Sequence, residues 1–402
     1  MKIAFASDFH FGYSEDAVAQ AAEALRKAGE DADVLVLAGD LFDSRVPRQE
    51  VIHDAIKLLS EHKRKMQEKA AASGTKIRFL QDGEESLHDF PIIGIYGTHE
   101  RRTKGLVNVI QILHSAGLIL NVHAATAVVE KDGDKVAIQG MGGMPDEFVK
   151  RAMDAMDFKP VDGAFNVFVF HQTLKELIPA AVECIGAVDL PKGFDLYVDG
   201  HIHWAQEFTE AGKHVILPGS TVITQMKPKE MAPKGYYLYD TTLKQLVFKP
   251  IRTRPFVYEE LSFKDSASAD VETACRAKLK EIAAAHAGRQ PLMRLKLSGT
   301  LAKGVAASAL DFKGLEAEFA GQMQLFVEKE FEGAELKEKI EALRRKRGEQ
   351  ASLRDSGVSL LRERLEARAS PFAGDEELFE LLAEGESEAV LKKLLKKPAA
   401  RG

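Results

Sequence analysis

The amino-acid sequence predicts an α/β fold in which a sheet carries helices on its faces, and three observations carry that prediction. Residues 34–38 read Val-Leu-Val-Leu-Ala, the continuous apolar run of a parallel strand buried on both sides. Strand-like and helix-like segments alternate as βαβα up to Lys65. Five apolar runs each end in carboxylates or imidazoles: 2–7 into Asp8-Phe9-His10, 34–39 into Asp40-Leu41-Phe42-Asp43, 92–97 into Thr98-His99-Glu100, 166–170 into His171, and 195–199 into Gly200-His201-Ile202-His203. Open α/β sheets bind ligands at the carboxyl ends of their strands, so these five ends define one candidate site.

In chain order, the first strand leads into an Ala-rich helix over 15–28, whose Val18, Ala21, Ala22 and Leu25 share a face and which Gly29 closes. The strand to Asp40 follows, with Gly39 letting the backbone turn. Val51, Ile52, Ala55, Leu58 and Leu59 mark a second amphipathic helix that runs into Lys63-Arg64-Lys65. The polar stretch 81–91, with Asp82-Gly83, reads as loop. After Glu100 a helix sets Leu106, Val109, Ile110 and Leu113 in one stripe, which either packs on the sheet or forms a dimer seam. Residues 120–143 read as short strands split by the turn Lys131-Asp132-Gly133-Asp134, and further strands lie at 214–217, 235–239 and 245–251. Arg252-Thr253-Arg254-Pro255 marks a boundary. Beyond it a small α+β segment reads strand 256–263, helix 270–285, strand 292–298, short helix 312–319 and strand 322–331. After Gly333, helix-spaced Leu336, Ile340, Leu343, Leu361 and Leu365 precede a last helical stretch, 375–397. The expected domains are therefore 1–252, 256–332 and 334–397.

At 402 residues, 45% hydrophobic and 29% charged, the chain is long enough for two or three globular domains. With 55 Lys+Arg against 61 Asp+Glu, its net charge of -6 gives no global attraction to nucleic acid, so any such contact is local. Two cysteines, Cys184 and Cys275, exclude a disulfide framework and a thiolate zinc site, and both are expected as buried thiols in a reducing compartment. No apolar run approaches the roughly 18 residues of a membrane span. Asp8 already lies in the candidate site, which leaves no room for a cleaved leader, so a cytoplasmic location is expected.

Imidazole nitrogen mixed with carboxylate oxygen suits Mn, Fe or Zn rather than an all-oxygen Mg or Ca site. Asp8, His10, Asp40, His171, His201 and His203 are too many ligands for one ion. Two ions about 3.5 to 4 Å apart share a bridging anion, for which Asp40 is the natural candidate. Such a pair clamps a phosphate ester, so the reaction expected is phosphoester hydrolysis. A lone strand-end Asp is often a turn former and a lone His a satisfied structural residue. Five such motifs, each after an apolar strand, are not explained that way. His53, His62, His88, His114, His123, His214 and His286 fall outside the pattern.

The five motifs resemble those of the calcineurin-like metallophosphoesterases and, within them, the SbcD-type DNA double-strand-break repair nucleases, called meiotic recombination eleven in archaea and eukaryotes. Gly39-Asp40-Leu41-Phe42, the Pro218-Gly219-Ser220-Thr221 turn, and a small domain followed by a charged tail point to that branch. The resemblance implies a four-layer αββα sandwich with an α+β capping domain and a helical C-terminal tail. It also implies two Mn²⁺, with Mg²⁺, Fe²⁺ or Zn²⁺ as alternatives, and 3′-to-5′ exonuclease and endonuclease activity on DNA ends. A homodimer, a nucleoid-associated location and an ABC-type coiled-coil ATPase gripped by the tail complete the expectation. Position by position, Asp8, His10, Asp40 and His203 would hold one ion and Asp40, Thr98, His171 and His201 the other, with His99 as the catalytic imidazole.

Two positions depart from the family pattern. Thr98 stands where Asn is usual, and a hydroxyl is a weaker ligand than an amide carbonyl. Asp43 stands where many members have a second histidine, and is expected to order a water or His99 from outside the ligand set. Arg101, Arg102, Lys104, Lys227, Lys229, Arg252 and Arg254 are expected to form a basic path for DNA phosphates. Two other classes stay open: a hydrolase of small phosphoesters, which needs neither cap nor tail, and a degenerate scaffold, for which Thr98 and Asp43 are the only support.

Overall fold

A computed structural model gives the fold and describes residues 1–331 except 90, 104 and 179–183, together with Leu378, Val390 and Lys393. The expected start is present as β1 (Lys2–Ala6), α1 (Glu15–Asp31), β2 (Val34–Ala38) and α2 (Gln49–Ser73). α2 runs past the basic triplet to Gly74, whose φ of 68° closes it with a left-handed cap. β3 (Lys76–Gln81) and β4 (Glu84–His88) come next, so the stretch expected as loop is the second arm of a hairpin. Asp82 and Gly83, with φ of 52° and 82°, make the two-residue turn whose twist matches paired strands. β4 is an edge strand with largely exposed residues, and it lacks the apolar alternation that marks an inner strand.

After β5 (Ile92–Ile95), α3 (Val109–Ser115) begins at Val109 rather than at Leu106, because Asn108 caps it. Asn108 Oδ1 accepts from Gln111 N at 2.9 Å, and the Gln111 side chain accepts from Asn108 N at 2.9 Å. Leu106 is exposed outside the helix, whereas Val109, Ile110 and Leu113 are buried in the core and pack on the sheet. β6 (Leu120–Asn121), β7 (Thr126–Lys131) and β8 (Asp134–Met141) follow. α4 (Asp146–Met156) escapes the sequence reading, since it buries only Val149 and Met153, too short a stripe to register. β9 (Phe165–Phe170), β10 (Leu196–Asp199), β11 (Gln206–Glu210), β12 (Lys213–Leu217), β13 (Gly235–Asp240) and β14 (Gln245–Pro250) complete the two main sheets.

One sheet runs β14-β13-β1-β2-β5-β6 and the other β11-β12-β10-β9-β8-β7-β3-β4. Because alternate residues of a strand face opposite ways, β2 divides its side chains between two cores. Val34, Val36 and Ala38 join Ile3, Phe5 and Ile93, and the second sheet's Val129, Ile138, Val167 and Val198, in the core between the sheets. Leu35 and Leu37 pack instead with Ala24, Leu25, Leu59 and Ile110 of α1, α2 and α3. On the second sheet's outer face, Phe168, Phe170, Tyr197 and Leu217 take Val149 and Met153 of α4. The layers are therefore helix, sheet, sheet, helix, as the resemblance implies.

β15 (Phe256–Ser266), α5 (Ser268–Ala285), β16 (Leu292–Leu301), α6 (Lys313–Phe319) and β17 (Gln324–Phe331) make up the α+β segment, with its strands in the order β15-β16-β17. The chain divides into two compact units: Met1–Leu261 with Thr273–Lys296 and Phe312–Glu328, and Ser262–Glu272 with Leu297–Asp311 and the chain from Lys329 onward. The helices expected over 334–397 fall outside the described residues, apart from Leu378, Val390 and Lys393. Cys184 and Cys275 are buried, and neither is in a disulfide. Among the described residues no helix is long and apolar enough to cross a membrane.

Candidate metal centre

β1, β2 and β5 are parallel neighbours in the first sheet, and β9 and β10 in the second, so each group brings its carboxyl ends to one edge. His171 Nδ1 lies 2.7 Å from Ala38 O, which ties the two edges together. The loops after β1 and β2 run side by side, Asp8 N donating to Gly39 O at 3.0 Å and His10 N to Asp40 O at 3.1 Å. Backbone approach is close enough to require glycine at two points. A Cβ on Gly97 would sit 2.1 Å from Asp40 Oδ1, and one on Gly200 2.1 Å from Ala38 O. Asp8, His10, Asp40 and His201 all adopt left-handed backbone, with φ of 54°, 47°, 49° and 59°. Such strain costs on the order of 1–3 kcal/mol per residue and collects where a site over-determines the backbone.

Asp8, His10 and His203 form one buried group and Asp8, Asp40 and His171 another, with ligand atoms in each lying within 4.8 Å of one another. Asp8 Oδ1 is 3.7 Å from His10 Nε2 and 3.5 Å from His203 Nε2, and those two nitrogens face each other at 3.3 Å. His171 Nε2 is 3.0 Å from Asp40 Oδ2. Asp8 Oδ1 and His171 Nε2 are buried with no hydrogen-bond partner. Their polar neighbours are the ionisable groups at 3.0–3.7 Å, and a cation among these oxygens and nitrogens would give both atoms a direct partner. The donor set fits two divalent ions. Asp8 is the carboxylate common to both groups. Asp40, expected as the bridge, accepts from His99 N on Oδ1 at 2.8 Å and from Thr98 Oγ1 on Oδ2 at 3.3 Å. His201 stands beside the second group, its ring 5.3 Å from that of His171 and its Nε2 3.1 Å from Thr173 Oγ1.

Asp43 connects two imidazoles. Its Oδ1 lies 3.1 Å from His10 Nδ1 and 3.5 Å from His99 Nδ1, while His99 Nδ1 is 3.0 Å from the Asp43 carbonyl. His10 therefore donates from Nδ1 and presents Nε2 inward, the arrangement in which a carboxylate orients a metal-binding histidine. The His99 side chain is 43% exposed against 1% for His10, so His99 meets solvent at the mouth of the site.

Burial disfavours the charged form of His10 and His171, yet carboxylates override it. Against burial, Asp43 and Asp8 raise His10 to about 9, and Asp40 raises His171 to about 10. Burial pushes Asp8 and Asp40 upward, but the imidazoles beside them hold both carboxyls below their ordinary range. At neutral pH the ion-free site therefore keeps protons on His10 and His171, and an incoming cation must displace them. Divalent-ion binding is expected to release protons and to strengthen as pH rises through neutrality. Calorimetric titrations in buffers of different ionisation enthalpy measure that release; a binding heat independent of buffer would contradict it.

Several residues of the site carry no signal in the sequence. Ser7 Oγ hydrogen-bonds Asp8 Oδ2. Glu100, part of the Thr98-His99-Glu100 motif but given no role by it, accepts from Phe42 N at 2.9 Å and Gly97 N at 2.8 Å and so joins the β2 and β5 loops. Burial and the nearby Asp40 charge push its carboxyl up to about 8. Burial also holds the Asp199 carboxyl well above the usual range, with Oδ1 accepting from Gln172 N at 3.1 Å. Of the basic residues, Lys227, Lys229 and Arg252 are exposed and Arg101 and Arg102 half-buried. Lys229 Nζ lies 4.4 Å from the Trp204 ring centroid, beside His203. Arg254 is engaged by Gln290 O at 2.6 Å, Gln324 at 3.1 Å and Asp16 at 3.3 Å. Lys104 lies outside the described residues.

A helix-sheet-sheet-helix sandwich with joined carboxylate and imidazole groups at its strand ends defines a metallophosphoesterase, and a family model described as calcineurin-like phosphoesterase matches residues 1–205. The chain belongs to that family. It is 28% identical over 308 residues to the double-strand break repair protein mre-11 of Caenorhabditis elegans, covering 65% of this chain and 42% of that one. The DNA double-strand break repair protein Mre11 of Methanopyrus kandleri is 31% identical over 266 residues, 60% of this chain and 54% of its own. MRE11 of Homo sapiens is 26% identical over 273 residues, 58% of this chain and 38% of its own. The chain thus spans about half the length of the curated relatives it matches.

Proposed function

We propose that the protein is a two-metal DNA phosphodiesterase of the Mre11/SbcD type, a manganese-dependent 3′-to-5′ exonuclease and endonuclease that processes DNA ends in double-strand-break repair. The observation that carries the reading is the pair of buried groups sharing Asp8, with Asp8 Oδ1 and His171 Nε2 making no hydrogen bond among them and His99 open to solvent beside them. The similarity to double-strand break repair proteins supplies the substrate class. The imidazole-rich donor set favours Mn²⁺ over Mg²⁺.

In this reading Asp8, His10, Asp40 and His203 hold one ion and Asp40, Thr98, His171 and His201 the other, with Asp8 lying between the groups. Divalent ions held there supply charge neutralisation for a phosphoryl group and an acidified water. His99 donates Nδ1–H to the Asp43 carbonyl, which fixes its ring; as the imidazolium, with a hydrogen on Nε2 as well, it would hand that proton to the leaving oxygen or steady charge on the phosphoryl oxygens. Asp43 orients His10 and His99 together.

The domain reading is a nuclease domain over 1–252, a cap over 256–332 and a segment over 334–397 that grips an ABC-type coiled-coil ATPase, the whole acting as a homodimer near the nucleoid. Lys227, Lys229, Arg252, Arg101 and Arg102 lead DNA to the site. Replacing Arg101 and Arg102 together is expected to weaken binding of every DNA sequence alike and to flatten its log–log salt dependence by about 0.9 per lost phosphate contact. Binding isotherms across a salt series measure it, and an unchanged slope would remove both residues from the path.

The experiment that tests the reading compares labelled blunt and 3′-recessed duplexes with small phosphomonoesters, each with Mn²⁺, Mg²⁺ or chelator. Mn²⁺-dependent cleavage of duplex ends is the expected result. Turnover confined to small esters would instead place the protein among the family's small-molecule hydrolases.

A further inference from the structure

His203 offers Nε2 to the Asp8–His10 group, and whatever holds its other ring nitrogen decides how well it does so. His203 Nδ1 is hydrogen-bonded to Thr224 Oγ1, which in turn lies 3.3 Å from Glu230 Oε1. A hydroxyl that gives its proton to a carboxylate has only lone pairs left for the ring. Nδ1 then carries the hydrogen and Nε2 is left as the donor atom. Glu230 also accepts from Thr224 N at 3.2 Å and from Gln225 N at 2.8 Å.

Lys234 Nζ, itself buried, lies 3.1 Å from Glu230 Oε1 and donates to His203 O at 2.6 Å and Ser220 Oγ at 2.9 Å. One buried ion pair thus holds both the ring, through Thr224, and the main chain of the same histidine. A buried ion pair is weak as a stability device, since well-packed apolar residues of similar volume often serve folding equally well. On the far side of the loop, Arg294 Nη1 donates to Gln225 O at 3.1 Å and Met226 O at 3.3 Å, while Nη2 pairs with Glu328 at 2.7 Å.

We propose that Thr224, Glu230 and Lys234 are positioning residues of the metal centre: the Glu230 carboxylate, relayed through the Thr224 hydroxyl, sets the His203 tautomer and aims Nε2 at the ion, and Arg294 anchors the loop that carries Thr224. This rests on the reading of His203 as a metal ligand. Lost support of this kind behind a metal-binding histidine costs about 10- to 100-fold in affinity. The loss falls on the ion of the Asp8–His10–His203 group and spares the one beside His171.

The test uses Thr224→Val, which keeps the shape and removes the relay, and Thr224→Ser, which keeps the relay. With ¹⁵N-labelled histidine and no metal, NMR is expected to show His203 as the Nδ1–H tautomer in the unmodified protein and in Thr224→Ser, and as a mixture in Thr224→Val. In Mn²⁺ calorimetry one of two ions is expected to bind about 10- to 100-fold more weakly in Thr224→Val, the other to be unchanged, and Thr224→Ser to restore the first. Thr224→Ala replaces Thr224→Val, with the same expectation, where thermal melting shows the latter unfolded. An unchanged tautomer together with unchanged affinities overturns the positioning role and leaves the metal reading standing. An unmodified protein that binds no divalent ion overturns both, and so tells the two failures apart.

Discussion

Replacing His99 with alanine is expected to lower DNA cleavage by about 10²- to 10⁴-fold, the range for a positioned proton donor, while both divalent ions stay bound. The expectation comes from placement. His99 follows the β5 strand end beside Asp40, its main-chain N donates to Asp40 Oδ1 at 2.8 Å, and its ring turns away to the Asp43 carbonyl. The main-chain bond survives the substitution, so Asp40 keeps its orientation. The ring sits at the open mouth of the site, whereas His10, His171 and His203 are buried. Single-turnover cleavage measured beside metal content by mass spectrometry separates the roles. Loss of an ion along with activity would show that His99 is a ligand.

Asp8→Asn is expected to have the larger effect, removing tight binding of the ion assigned to Asp8, His10, Asp40 and His203 and bringing cleavage to background. Asp8 is the carboxylate that the two groups share, its Oδ1 has no protein hydrogen bond, and it lies within 4 Å of two imidazole nitrogens. An amide in its place brings no charge and points either a neutral oxygen or an NH₂ at those nitrogens. Losing the charge neutralisation of the ions forfeits several kcal/mol of transition-state stabilisation, on the order of 10³-fold in rate or more. Calorimetric titration of Asp8→Asn beside Asp40→Asn decides between the carboxylates. Asp8→Asn keeping one tight ion while Asp40→Asn loses both is the expected result; loss of both ions in Asp8→Asn with one retained in Asp40→Asn would make Asp8 the bridge.

The candidate ligands were legible because a parallel strand buried on both faces writes itself as an unbroken apolar run, and the residues directly after such a run must lie at a sheet edge. Asp8, Asp40, His171 and His203 each stand in that position. The helices on the first sheet were legible because α1 and α2 show stripes wide enough to read, whereas the four-layer order came only with the family resemblance, α4 having too short a stripe. Legibility failed where burial is set by distant chain. Between Lys227 and Lys234 the sequence marks only Lys227 and Lys229, as a path for DNA phosphates, and sets nothing apart in Glu230 and Lys234, which are 2% and 3% exposed. They are inside because each finds the other and His203, and no periodicity announces such a meeting. β4 failed differently, since an edge strand with Glu84, Glu85 and Ser86 has no apolar face to betray it. The start of α3 was set by a local bond, the Asn108 cap, which overruled the apolar spacing that included Leu106.

β1 lies between β2, its near neighbour in sequence, and β13, where Lys2 pairs with Asp240 and Phe5 with Tyr237. Ribosomes add about 5–20 residues per second, so the first strand waits on the order of tens of seconds for its second partner. During that interval one edge of β1 has no hydrogen-bond mate, and Asp8 and His10 have no His171 or His203 to complete a cation site. The cation site is therefore incomplete until His203 is made, and the nascent chain is most vulnerable to aggregation at its first-made strand. The first sheet closes over β1 only late in translation, when the hairpin carrying β13 docks, after every candidate ligand from Asp8 to His203 has been made.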